Sequence, residues 1–174
     1  MKRYFLLSAL ALATPAFAQN GPTTPVPPLP PAHLDAPAFA GPEVSAVMQP
    51  INAMLAGLSS GDAAAIRAQI LPEGGATVAL EKTGGIHTIR HMGWDQFLAT
   101  VKPGAQKLQE TLHDPAVEID GDIAMVWARY TFTVDGKPAH CGYDHFDLVR
   151  QNGAWKVLNV TWSQRTTGCM MEER

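Results

Sequence analysis

Two dipeptides near the end of the chain constrain its fold more than any other feature. Asp135-Gly136 follows the run IAMVWARYTFTV, and Asn152-Gly153 follows HCGYDHFDLVR. Between apolar, β-branched and aromatic runs these dipeptides favour tight hairpins, because a type I′ turn needs φ > 0 at both central residues. Residues 123–169 therefore read as three strands joined by two short turns, the third strand being AWKVLNVTWSQR. The result is an antiparallel meander.

The start of the chain is different in kind. Lys2 and Arg3, the apolar run from Tyr4 to Ala13, and Ala16-Phe17-Ala18 have the layout of a secretory signal peptide over residues 1–18. The apolar run is too short to span a membrane, so cleavage after Ala18 leaves a soluble chain, periplasmic or secreted, with no membrane insertion. Residues 20–42 hold eight prolines. Proline fixes φ and lacks a donor, so residues 19–42 read as an extended, disordered linker. One domain is expected from 43 to 169, with a short tail at 170–174. Net charge is -3, falling to -5 once Lys2 and Arg3 are gone. No basic stripe tracks a phosphate backbone, which argues against nucleic acid as a partner. The only two cysteines, Cys141 and Cys169, lie in an exported chain and are expected to form a disulfide.

Upstream of the meander, Val44, Val47, Met48, Ile51, Met54, Leu55 and Leu58 recur at helical spacing, with Pro50 inside the pattern as a kink or true first turn. A second short helix runs from Ala63 to about Ile70, capped by Asp62 or Ser60 and ended by Pro72 and Gly74-Gly75. A hairpin over Ala76–Lys82 and Ile86–His91 turns at Thr83-Gly84-Gly85. Trp94 to Val101 forms a third helix, and Leu108 to Ile119 a strand interrupted at Asp114-Pro115. Helix, helix, hairpin, helix and four antiparallel strands make an α+β domain. Its strongly curved sheet packs on the N-terminal helices.

This order, together with several local motifs, resembles the nuclear transport factor 2-like superfamily, which includes SnoaL-like polyketide cyclases and ketosteroid isomerases. The residues that carry the resemblance include Ser60-Gly61-Asp62, Asp120-Gly121-Asp122-Ile123-Ala124, Val126-Trp127-Ala128-Arg129-Tyr130 and Asp135-Gly136-Lys137. With them go His140-Cys141-Gly142, Phe146-Asp147-Leu148 and Gly153-Ala154-Trp155-Lys156-Val157. The resemblance implies a cone-shaped barrel with a pocket between sheet and helices, and a homodimer built on the outer sheet face. The first helix carries Met48, Asn52 and Met54 and offers no counterpart of the isomerase Tyr and Asp.

The turn at Asn152-Gly153 predicts the pairs 148–157, 146–159 and 144–161. Asp144, Phe146 and Leu148 then share the buried face with Trp155, Val157, Asn159 and Thr161. The opposite face carries Cys141, Tyr143, His145, Val160 and Trp162, which a second subunit would cover. A strict turn at Asp135-Gly136 adds Trp127 and Arg129 to the Asp144 face. A turn widened by Lys137-Pro138 adds Val126, Ala128, Tyr130 and Phe132 instead, because a slip of one residue exchanges the faces. Pro138 cannot donate to the ladder, which favours the wider turn and an inward Tyr130.

The candidate ligand-binding set is thus Tyr130, Asp144, Phe146, Asn159 and Thr161, with Trp94 at the cavity mouth. His87 and His91 are spaced for a helix but sit in a strand, about 13 Å apart, so no metal is expected, and no cofactor. Three readings stay open. One is an exported binding protein with a pocket for a small, largely apolar molecule. Another is an isomerase, cyclase or dehydratase using Asp144 and Tyr130, by the logic of a carboxyl raised in a dry pocket and a phenol facing an oxyanion. The third is a dimeric interaction module whose pocket its own side chains fill.

Overall fold

The structure, a computed structural model, describes residues 41–82 and 84–169. The leader, most of the proline-rich stretch, Thr83 and the tail from residue 170 lie outside the described residues. Helix α1 spans Pro42–Ser60 and continues through Pro50, with Pro42 in its first turn and Gly61 closing it in the left-handed region. Helix α2, Ala63–Arg67, is capped by Asp62, whose carboxylate accepts from the Ala64 and Ala65 amides at 3.0 and 2.9 Å. The strands are β1 (Ile70–Lys82), β2 (Ile86–Gly93), β3 (Leu108–Asp120), β4 (Ile123–Val134), β5 (Lys137–Gln151) and β6 (Ala154–Gln164). Helix α3, Trp94–Leu98, separates β2 from β3.

The six strands form one curved, unclosed sheet in the order β2-β1-β6-β5-β4-β3. All neighbours are antiparallel except β1 and β6, which run parallel. That pairing lengthens β1 beyond the expected hairpin: Ile70 already meets Val157, so the segment holding Pro72 and Gly74-Gly75 belongs to a strand. Val47, Ile51, Met54 and Leu55 of α1 bury against Ala124, Val126, Phe146, Leu148, Val157 and Val160 of the sheet. Among the described residues no helix is long and apolar enough to cross a membrane.

Both hairpin turns form as the dipeptides predict, with Asp135, Gly136, Asn152 and Gly153 all at φ between 53° and 79°. The register beyond them is set by bulges. In β6, Leu148 pairs with Val157 but Asp147 pairs with Asn159, leaving Leu158 as the extra residue. Every partner past that point shifts by one, so Asp144 meets Trp162 rather than Thr161. Val160 and Trp162, expected on the outer face, turn inward. Asn159 and Thr161, expected inward, do not share the Asp144 face, and Thr161 is exposed.

A second bulge acts in β5. The Asp135-Gly136 turn is strict, with Val134 against Lys137 and Thr133 against Pro138, yet Phe132 pairs with His140. Ala139 is the residue that slips the register. Tyr130 therefore faces inward, through a bulge beside Pro138 rather than a wider turn. Trp127 lies on the opposite face, stacked on Tyr143 with ring centroids 5.3 Å apart. A third irregularity lies between His113 and Ala116 of β3, where Asp114 has φ 47°.

The β6 bulge is fastened from three sides. The Trp94 indole donates to the Leu158 carbonyl at 3.1 Å, and the Asn159 side chain accepts from the Gly75 amide at 3.2 Å. Gly74 lies so near the Leu158 carbonyl that a Cβ there would land on its oxygen. Gly74→Ala should therefore destabilise the protein by about 2 kcal/mol in urea unfolding. Gly104→Ala, where a Cβ meets open space, should change stability by less than about 0.5 kcal/mol.

Candidate functional site

The inner faces of β3, β4, β5 and β6 converge with α1 and α3 on a cavity of about 160 Å³. Met54, Leu55 and Leu58 come from α1 and Phe97 from α3, while Phe132, Phe146, Val160 and Trp162 come from the sheet. Phe97 meets Trp162 edge-on at 6.5 Å. Four polar side chains interrupt this apolar lining: Glu110, His140, Asp144 and Gln164.

Asp144 is the centre of the set. It is only 3% exposed, and among the described residues its Oδ2 finds no hydrogen-bond donor. Across from it, the Glu110 carboxyl is within hydrogen-bonding reach. Two carboxyl groups can hydrogen-bond only when one carries a proton. Burial pushes both carboxyls upward, and the Glu110 charge raises Asp144 further. The pair therefore retains a proton at neutral pH. Glu110 also lines a larger, open groove of about 780 Å³ between α1 and β3, as does Leu55. These two residues stand between the groove and the inner cavity.

Tyr130 is buried behind this cavity and is not part of its lining. Its hydroxyl donates to the Ser163 carbonyl at 3.1 Å and lies 3.1 Å from His140 Nδ1. A hydroxyl has one proton, and the carbonyl can only accept. The Tyr130 oxygen thus accepts from His140 Nδ1–H, and the neutral imidazole keeps its lone pair on Nε2. Burial lowers the His140 pKa, which favours that neutral form. It also drives the Tyr130 pKa upward, helped by the Asp144 and Glu110 charges. The His140 ring stacks on Phe132 at 4.5 Å.

Of the residues singled out in the sequence, Asp144 and Phe146 line the cavity, and Tyr130 supports it from behind. Trp94 does not stand at the mouth; it is 2% exposed in the core, with its N–H committed to Leu158. Asn159 is used by Gly75 and, at 3.4 Å, by Asp147. Cys141 and Cys169 are joined as expected, with Cα atoms 5.5 Å apart. Among the described residues no three His, Cys, Asp or Glu side chains are grouped to hold a metal ion. Sequence reasoning missed Glu110 and the role of His140. Period-2 alternation held the first signal, since Leu108, Glu110 and Leu112 share one strand face and the acid sits between two leucines.

The carboxyl pair makes stability depend on pH. A carboxyl whose folded pKa is raised binds more protons folded than unfolded, so stability is full below the unfolded pKa and falls as pH rises through the folded one. His140, with its depressed pKa, acts oppositely, but only as pH falls below its ordinary value. Between about pH 7 and 9 the carboxyls dominate, and stability should fall by up to about 1.4 kcal/mol per pH unit. Asp144→Asn should flatten that slope in thermal unfolding across the window.

A family model described as "Putative lumazine-binding" matches residues 42–163. No curated protein matches the chain. Among solved structures, an NTF2-like protein of Cytophaga hutchinsonii is 11% identical with a TM-score of 0.58, covering 72% of this chain and 100% of its own. An NTF2-like protein of Shewanella baltica of unknown function is 14% identical with a TM-score of 0.54, covering 71% and 94%. One of Streptomyces avermitilis, described as a "putative dehydratase", is 17% identical with a TM-score of 0.54, covering 71% and 96%. At these identities the likeness shows a shared fold, the expected nuclear transport factor 2-like one. With most of its described domain inside the matched region, the chain belongs to the lumazine-binding-like family of the NTF2-like superfamily.

Proposed function

We propose that the chain is an exported binding protein whose inner cavity receives a small, largely apolar molecule. Asp144 carries the reading: a buried carboxylate oxygen without a donor among the described residues, set in a cavity with mostly hydrocarbon walls. Buried polar atoms take partners, and one that finds none in the protein calls for one from outside. The family description supports small-molecule binding, and the groove between α1 and β3 offers a route inward. About 160 Å³ of open space argues against a pocket filled by its own side chains.

The disulfide supports an oxidising compartment and so the expected export. On the outer sheet face, Ile123, Met125 and Trp127 of β4 are exposed beside Tyr143. A second copy covering that face would bury them. Native mass spectrometry of protein recovered from its own host tests all three parts. The expected species is a dimer of chains starting at Gln19 with a retained small molecule. A monomer still carrying residues 1–18 and nothing else would count against each part separately.

One observation favours a catalytic reading, as an isomerase, cyclase or dehydratase. A carboxyl kept protonated at neutral pH can donate a proton while a neutral imidazole accepts one. Asp144 would then act with Glu110 and His140. Tyr130, its single proton spent on Ser163, would position His140 instead of facing an oxyanion. For any substrate found by screening, Asp144→Asn should lower kcat by roughly 10²- to 10⁴-fold. Undiminished turnover would leave binding as the function.

A further inference from the structure

The groups that meet the inner cavity are rich in acceptors and poor in cations. Glu110 and Asp144 bring carboxyls, and His140 brings the Nε2 lone pair left free by Tyr130. The Gln164 carbonyl lies 3.4 Å from the Trp162 indole nitrogen. Among the described residues, neither Lys nor Arg lines the cavity. Around these groups stand the rings of Phe97, Phe132, Phe146 and Trp162. Ring faces attract cations, and two buried carboxylates are stable together only with positive charge between them. An anion would meet the carboxyls with no counter-charge. A neutral hydrocarbon would leave Asp144 Oδ2 short of a donor, and a neutral O–H or N–H donor would meet that oxygen but add no positive charge between the two carboxyls.

We infer that the cavity takes a small organic cation, an arylalkyl or alkyl amine, whose ammonium group seats between Glu110 and Asp144 and whose hydrocarbon part lies against the aromatic walls. The inference rests on the binding reading above and narrows its ligand class. The space suits about ten non-hydrogen atoms, counting one water-sized probe for each. The ammonium keeps its N–H protons and donates them to both carboxylates. The proton the empty pair had shared leaves to solvent, so each amine bound releases up to one proton.

The other groups around the pair do not supply that proton. Tyr130 and His140 face it from β4 and β5, and Arg165 acts on Tyr130. Helix α1 contributes only Met54, Leu55 and Leu58, and α3 only Phe97. His140 is kept neutral by burial, and Tyr130 is driven far from titration. Affinity should therefore rise with pH until the amine itself deprotonates.

Calorimetric titration of the full chain with benzylamine, benzyl alcohol, lumazine and benzoate tests this at mildly alkaline pH, in buffers of different ionisation enthalpy. Benzylamine should bind at least roughly tenfold tighter than benzyl alcohol, benzoate should bind weakest, and proton release should approach one per amine. Asp144→Asn removes the carboxyl that burial holds protonated, so it should cut the release well below one proton per amine and bring the amine and alcohol to similar affinity. Should that variant fail to unfold cooperatively, Glu110→Gln serves in its place for the affinity comparison. If benzyl alcohol or lumazine binds as tightly as benzylamine, or if no proton is released, the cation class is overturned while the binding pocket stands. If none of the four binds, both are overturned.

Discussion

A single extra residue in β6 decides what the cavity contains. Leu158 shifts the strand by one position, which brings Val160 and Trp162 inward and sends Thr161 out. Because side chains alternate along a strand, no smaller change could exchange the two sets. The bulge is held by contacts from elsewhere in the chain: the Trp94 indole, the Gly75 amide and the close approach of Gly74. Those contacts come from β1 and α3, so the parallel β1–β6 pairing does more than extend the sheet. It fixes the phase of the strand that forms one wall of the site.

Within that frame the polar groups form two linked units. Ser163, Tyr130 and His140 form a chain whose proton placement follows from one hydroxyl hydrogen, and it ends in a neutral imidazole. Glu110 and Asp144 form the second unit, in which burial raises both groups and the Glu110 charge raises Asp144 further. Replacing such a pair with hydrocarbon would often stabilise a fold. Its position at the junction of cavity and groove therefore has a functional explanation more readily than a structural one.

The parts of the fold written in local chemistry were legible. Asp135-Gly136 and Asn152-Gly153 demanded left-handed backbone and adopt it, Asp62 caps α2, and the two cysteines meet. The parts decided by distant contacts were not. Nothing local to Leu158 marks it as a bulge, since its cause lies at Trp94 and Gly74. The β5 bulge was half visible, because Pro138 signalled an irregular ladder without saying that Ala139, rather than the turn, would absorb it. Glu110 was visible in principle through its alternation with Leu108 and Leu112, but its meaning depends on Asp144, two strands away in the sheet.

The fold alone does not decide what this cavity takes. Structures at 11–17% identity share the curved sheet and helices, and shared backbone fixes only where a cavity can lie. What enters is decided by the few side chains that interrupt its hydrocarbon. Here those are two carboxyls, the Gln164 amide and an imidazole whose Nε2 lone pair is left free by Tyr130. Each depends on a register device: Tyr130 faces inward because Ala139 bulges, and Trp162 stands beside Asp144 because Leu158 bulges. The site therefore depends on two glycines and a tryptophan that are not among its lining residues. Gly74, Gly75 and Trp94 hold the geometry on which the chemistry rests.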